Sequence, residues 1–316
     1  MSATGLSIVR RLGVAAAALG MLAGCGGERD AAAARDVVPP QKFDTPEAAA
    51  AALVAAAASF DTTALRAILG SEGATLVTSR DHVSDRNDAA AFAEQAKQQR
   101  LEFDSTRTQA VLTVGPTGWP LPMPIVQRDG KWAFDAAAGE KEVLARRIGR
   151  NELAAITACR GYVDAQHAYA LVKHDGSIVN QYAQRVISTP GKQDGLGWRA
   201  ADGSWQGPIS EGVARLIAEG YKEPMEPFHG YYFKILKGQG PSAELGTMDF
   251  MVDGAMIGGF ALVAAPAEYL VTGVKTFIVS HEGVVYEKDF GERTLEVFKS
   301  IERYDPDSTW TRVPGT

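Results

Sequence analysis

The chain has 316 residues, 46% of them hydrophobic and 22% charged, with a formal net charge of -6 and two cysteines. That much apolar material can bury sizeable cores, which excludes a disordered chain. The net negative charge excludes a global basic footprint for nucleic acid. Two cysteines, one of them in the first 25 residues, exclude both a disulfide framework and a cysteine-based zinc site.

In chain order, Arg10 and Arg11 precede an apolar, alanine-rich run from Leu12 to Leu22, too short for a permanent membrane span. It ends in Leu22-Ala23-Gly24-Cys25, which resembles a bacterial lipobox: small residues for a peptidase, then a cysteine to carry lipid. The expectation is a signal peptide over 1–25 and acylation of Cys25, giving a membrane contact through several acyl tails. Gly26 rather than Asp at the next position points to the outer membrane, on its periplasmic side, if the cell is Gram-negative. Residues 26–42, small, charged and proline-bearing, read as a flexible tether.

Roughly 270 residues remain, about two domains' worth. In the first, 43–138, Asp44-Thr45-Pro46 is a helix start, Asp61 caps a second short helix, and Gly70 can end it. A third helix is expected over 88–99, with the polar run Ser79–Asp88 before it as a solvated loop. Strands follow over 109–114, 125–128 and 131–135, the last two joined by Asp129-Gly130, a strong hairpin signal. Between them, four prolines in 115–124 forbid a central strand or a helix; this is either a presented loop with Trp119 and Met123 as contacts or a rigid connection over a sheet edge. Helices followed by a curled antiparallel sheet, with Phe43-x-x-Pro46-Glu47 and the restart at Asp61, resemble the NTF2-like cone. Catalytic members of that superfamily place a carboxylate inside the cone, so the resemblance nominates Asp81, His82 and Asp85; fold alone delivers no function.

A long helix is expected over 139–172. Ile156, Cys159, Val163, Gln166 and Ala170 step by three and four along one face, so Cys159 reads as a small buried hydrophobe. His167 lies on the opposite flank, and two histidines, His167 and His174, do not make a metal site without a third ligand. Beyond the helix, residues 191–208 read as a glycine-rich loop carrying Asp194, Trp198 and Trp205. In Tyr231–Leu236 alternate residues share a face, a strand pattern entered through Pro227 and Gly230. His229, just before it, is a turn residue or a group at a cleft rim. Ser280-His281-Glu282 is not a triad, since neighbours on a strand face opposite ways, and no G-x-S-x-G, H-E-x-x-H or P-loop occurs. Asp249, Asp253, Asp305 and Asp307 lack the spacing of a calcium loop and read as charged turns.

Arg150–Ile156, Asp164–Ala170 and the later segments Gly230–Leu236, Gly259–Pro266 and Thr276–Tyr286 resemble, in order, the globular heads of pseudopilins and related pilin-like proteins. The filament-building apolar helix of that family has no counterpart, which puts filament assembly in doubt. Arg146–Glu152, Gly191–Trp198, Phe228–Phe233, Met256–Ala261, Thr276–Val279 and Val285-Tyr286 resemble an uncharacterised bacterial family, domain of unknown function twenty-nine-fifty, nearly end to end. That resemblance implies an exported or lipid-anchored envelope protein and no reaction. The expected fold is α+β: an NTF2-like cone, a long helix, and a pilin-head-like antiparallel meander in 139–316. The expected function is non-catalytic binding or scaffolding with an envelope protein partner, through Trp119, Asp194, Trp198, Trp205, His229 and Tyr231, without cofactor or metal. The alternatives are an enzyme with a pocket in the cone, and an accessory component of a secretion or pilus-like system.

Overall fold

A computed structural model describes residues 38–209, 211–212 and 226–315. The signal, Cys25 and most of the tether lie outside the described residues.

Thr45 accepts the Ala48 N–H at 3.1 Å and Pro46 opens α1 (Pro46–Ser59), an alanine-rich helix whose buried face includes Ala49, Ala50 and Leu53. Asp61 accepts from Thr63 and Ala64 N–H and starts α2 (Thr62–Leu69), with Leu65, Ile68 and Leu69 turned inward. A single turn, α3 (Ala74–Val77), leads to α4 (His82–Gln95). The expected solvated loop is therefore a helix start: α4 begins at His82 rather than Asp88, because Asp81 caps it by accepting the Ser84 N–H at 2.9 Å.

The first sheet runs β1 (Gln99–Phe103), β2 (Gln109–Val114), β4 (Ile125–Arg128), β5 (Lys131–Phe134), all antiparallel, with the two-residue β3 (Trp119–Pro120) on β2. The β4–β5 turn has Asp129 at φ 52 and Gly130 at φ 74, the left-handed pair that a two-residue hairpin requires. Leu53, Leu65, Leu112, Ile125 and Phe134 fill the space between helices and sheet.

Asp135 caps α5 (Ala136–Tyr169), 34 residues long. It runs past the first lobe and then buries Ala155, Cys159, Tyr162, Val163 and Tyr169 in the second core. The stretch expected to be a loop after it is a small sheet of β6 (Arg185–Ile187), β7 (Gly195–Arg199) and β8 (Trp205–Gln206). β9 (Tyr231–Leu236) edges the second large sheet. The short pairs β10 (Gly238–Gln239) with β11 (Met248–Asp249) and β12 (Met251–Val252) with β13 (Ala255–Met256) follow. Then β14 (Ala261–Pro266), β15 (Lys275–Ser280), β16 (Val285–Asp289) and β17 (Thr311–Arg312) complete the antiparallel order β17-β16-β15-β14-β9. β14 is buried along its whole length, as its unbroken Ala-Leu-Val-Ala-Ala run requires at a sheet centre. A last helix, α6 (Thr294–Ser300), packs on this sheet, and Lys234 Nζ donates to its Phe298 carbonyl at 2.8 Å. The architecture is α+β: helices on one antiparallel sheet, a long helix, and a second antiparallel sheet region.

Candidate functional site

A densely bonded polar junction lies where α4, α5 and the turn before β9 meet. One oxygen of Asp81 caps α4. The other accepts the N–H of Gly230, 149 positions away in sequence, at 2.7 Å, and Asp81 is only 2% exposed. One turn on, Asp85 accepts the Ser79 N–H at 2.6 Å and the Ser79 hydroxyl at 3.0 Å, while the Asp81 N–H donates to Ser79 Oγ at 3.1 Å. Burial pushes the Asp85 carboxyl up; the Ser79 hydrogen bonds and the Arg147 guanidinium pull against that, and the Asp81 charge adds to it. His82, by contrast, is exposed, with its ring nitrogen 3.9 Å from Asp85.

Four residues of α5 serve both sides of this junction. Arg147 donates to the carbonyls of Thr75 and Leu76, both at 3.0 Å, and Arg150 makes two bonds to Asp88. Asn151 Nδ2 donates to the Thr272 carbonyl at 2.9 Å, and Glu152 Oε1 accepts the N–H groups of Val274 and Lys275, each at 3.0 Å. Gly230 sits at φ 75, and a Cβ there would lie 2.5 Å from Asn151 Nδ2 and 2.9 Å from Thr272 Cβ. Glycine is demanded twice, by backbone conformation and by space. Buried Asn151 Oδ1 has no hydrogen-bond partner among the described residues. Asp81, Asp85 and Glu152 each accept at least one backbone N–H here, so the arrangement clamps segments distant in sequence.

Of the residues nominated from sequence, Tyr231 is buried and the two tryptophans face opposite ways. Tyr231 is 0% exposed, its hydroxyl donating to the Lys275 carbonyl at 3.0 Å; it is core, because it faces inward at the edge of the second sheet. His229 is half-buried at φ 46, its ring 4.2 Å from that of Phe228. Trp198 and Trp205 are on opposite faces of the β7–β8 hairpin: Trp198 pairs with Gln206 in register, and Trp205 with Arg199, whose guanidinium lies 4.6 Å over the Trp205 ring. Asp194 accepts from Thr189 N–H and hydroxyl at 2.7 and 2.8 Å; these bonds and Arg185 hold its carboxyl below the usual range although burial pushes it up. Trp119 is exposed, with the Arg146 guanidinium 5.0 Å over its ring.

The other sequence candidates are also dispersed. His174 is buried, stacked on Tyr169 at 3.8 Å and edge-on to Trp198, while exposed His167 lies near Tyr182 and Phe260. Cys159 is a free, fully buried thiol, and burial pushes it up to about 12. Asp249 pairs with Arg303, Asp305 accepts the Ser242 N–H, and Asp307 caps the turn at Thr309. Among the described residues no group of three or more His, Cys, Asp or Glu could hold a metal ion. A shallow cleft lies outside the first lobe, lined by Ala57, Ala58, Ser59, Phe60, Arg86 and Ala90.

Sequence reasoning missed Ser79, Asn151, Glu152 and Thr272 as junction residues. The available signal was the pair of segments Arg146–Glu152 and Phe228–Phe233, which meet here. Residues 40–313 match the family described as a protein of unknown function (DUF2950), and the chain belongs to that family. No curated protein and no solved structure matches the chain.

Proposed function

We propose that this member of the DUF2950 family is a lipid-anchored protein of the cell envelope, facing the periplasm, that binds or scaffolds an envelope protein partner rather than catalysing a reaction. The observation that carries the anchor is Leu22-Ala23-Gly24-Cys25 at the end of a basic and then apolar stretch. Among the described residues no helix is long and apolar enough to cross a membrane. An acyl chain on Cys25 would supply a membrane attachment. The scaffolding half of the reading is supported by how three carboxylates, buried Asp81 and Asp85 and half-buried Glu152, are used. Asp81, Asp85 and Glu152 all accept backbone N–H groups that tie one lobe to the other or close a local turn. That is how a rigid presenting body is built. Exposed Trp119 under Arg146 is a contact pair of the kind that partner surfaces favour.

The test is in-cell crosslinking of the acylated protein in its native host, read by mass spectrometry. The expected result is a few reproducible envelope partners, crosslinked to one face and lost when Trp119 and Arg146 are both replaced by Ala. A crosslink map unchanged by those replacements would contradict the assignment of that face, and the absence of any enriched partner would contradict the scaffold.

A further inference from the structure

Exposed aliphatic side chains concentrate in one loop just past the end of α5. Leu171 (77% exposed), Val172, Ile178 (87%) and Val179 lie within nine residues. The loop that carries them is fixed from beneath. Buried His174 stacks on Tyr169, and its Nε2 and Nδ1 lie 3.0 Å from the Tyr169 carbonyl and 3.2 Å from Gln193 Oε1. The Ser177 N–H donates to the His174 carbonyl at 2.9 Å, and Asn180 Nδ2 donates back to the Ala170 carbonyl at 2.8 Å. Single exposed apolar residues are ordinary, whereas four on one short bonded loop call for something that covers them.

The chemistry of the loop selects the occupant. Centres of protein–protein contact favour Trp, Tyr, Arg and Met. Residues 171–179 offer branched aliphatics, exposed Lys173, and Asp175, whose carboxylate accepts the Gln193 N–H at 2.8 Å. Aliphatic groups beside a lysine suit the edge of a bilayer, with the aliphatics at the acyl boundary and the ammonium reaching the phosphates.

We propose that the 171–179 loop inserts into the interface of the bilayer to which Cys25 is anchored, giving the body a second membrane contact. This rests on the lipid-anchor reading. Val38 is thirteen residues beyond Cys25, so the covalent limit of the connection is about 45 Å. The Val38 carbonyl accepts the Ser71 N–H, and Gly73 touches Ala136, so Val38 lies beside the start of α5. The loop follows the other end of this 34-residue helix, about 51 Å away. With α5 upright and the loop in the bilayer, Val38 would sit beyond the reach of the connection. An inserted loop therefore requires α5 to tilt away from the bilayer normal. Because acylation makes the second contact intramolecular, weak insertion suffices to hold that orientation.

The test uses the full acylated chain in vesicles of phosphatidylcholine and phosphatidylglycerol. An environment-sensitive fluorophore is placed on I178C, and a control on R107C in the exposed loop of the first lobe. The expected result is blue-shifted emission at position 178, quenched several-fold by nitroxide-labelled acyl chains and lost when Leu171→Asp is added, with the control unchanged. Aqueous emission at 178 without quenching, on a chain whose Cys25 peptide carries its acyl mass, overturns insertion alone. An unacylated Cys25 overturns the anchor, and insertion with it. A probe shielded only when envelope proteins are added overturns the bilayer in favour of a protein partner.

Discussion

Asp81 shows how far a residue's role depends on atoms distant in sequence. Its neighbours, Ser79 to Asp88, are nearly all polar, and locally they describe a solvated loop. Its burial comes from Gly230, which no local pattern reveals. Asp81→Ala would leave the Gly230 N–H buried without its acceptor, at a cost of about 1–3 kcal/mol in denaturant unfolding; a change within error would contradict the clamp. Asp85 makes a prediction about pH. Its carboxyl is raised in the folded state by burial, so the folded protein holds that proton more tightly than the unfolded chain does. The stability this contributes is fully present below the unfolded value near ~3.9 and is lost as pH rises through the folded value. Asp85→Asn lacks this dependence, so the melting temperature of wild type relative to D85N should be higher at pH 4 than at pH 7. An equal difference at both would contradict it. Cys159 was legible as a buried hydrophobe from its helical face alone. With its thiol raised to about 12, it should resist iodoacetamide in the native protein at pH 8 and react on unfolding.

At the scale of elements, what was legible was whatever local chemistry decides. Asp61 capping α2, Asp129-Gly130 closing the β4–β5 hairpin, and the alternation of Tyr231–Leu236 are each set within a few residues. What was illegible was set by tertiary contact. The expected loop over 191–208 contains β7 and β8 because β7 finds β6 in parallel and β8 folds back on it. The consequence for the candidate site is direct: once those residues are strands, Trp198 and Trp205 must face opposite ways. Gly230 belongs to this scale too, since it turns the chain into β9 against α5. Gly230→Ala combines a positive φ with a 2.5 Å clash on Asn151, and should destabilise by about 2–4 kcal/mol. Replacing Gly130, which has open space around it at a similar φ, should cost less. Equal losses in a paired thermal melt would show that packing at Gly230 does not matter.

At the scale of the whole molecule, the family segments explain what sequence motifs could not. Arg146–Glu152 and Phe228–Phe233 are far apart in the chain and contain no reaction motif, yet they meet at the clamp between the lobes. The bonds they make there tie Gly230 and Thr272 to α4 and α5. The account of what the molecule is for begins with Cys25, so the most direct measurement is the mass of the first peptide of the mature chain isolated from its native host. The account predicts a chain beginning at Cys25, with acyl groups on that residue, that moves from the membrane fraction to the soluble fraction in the Cys25→Ala variant. A mature chain that keeps residues before Cys25, or carries it unmodified, would contradict the anchor and every orientation argued from it.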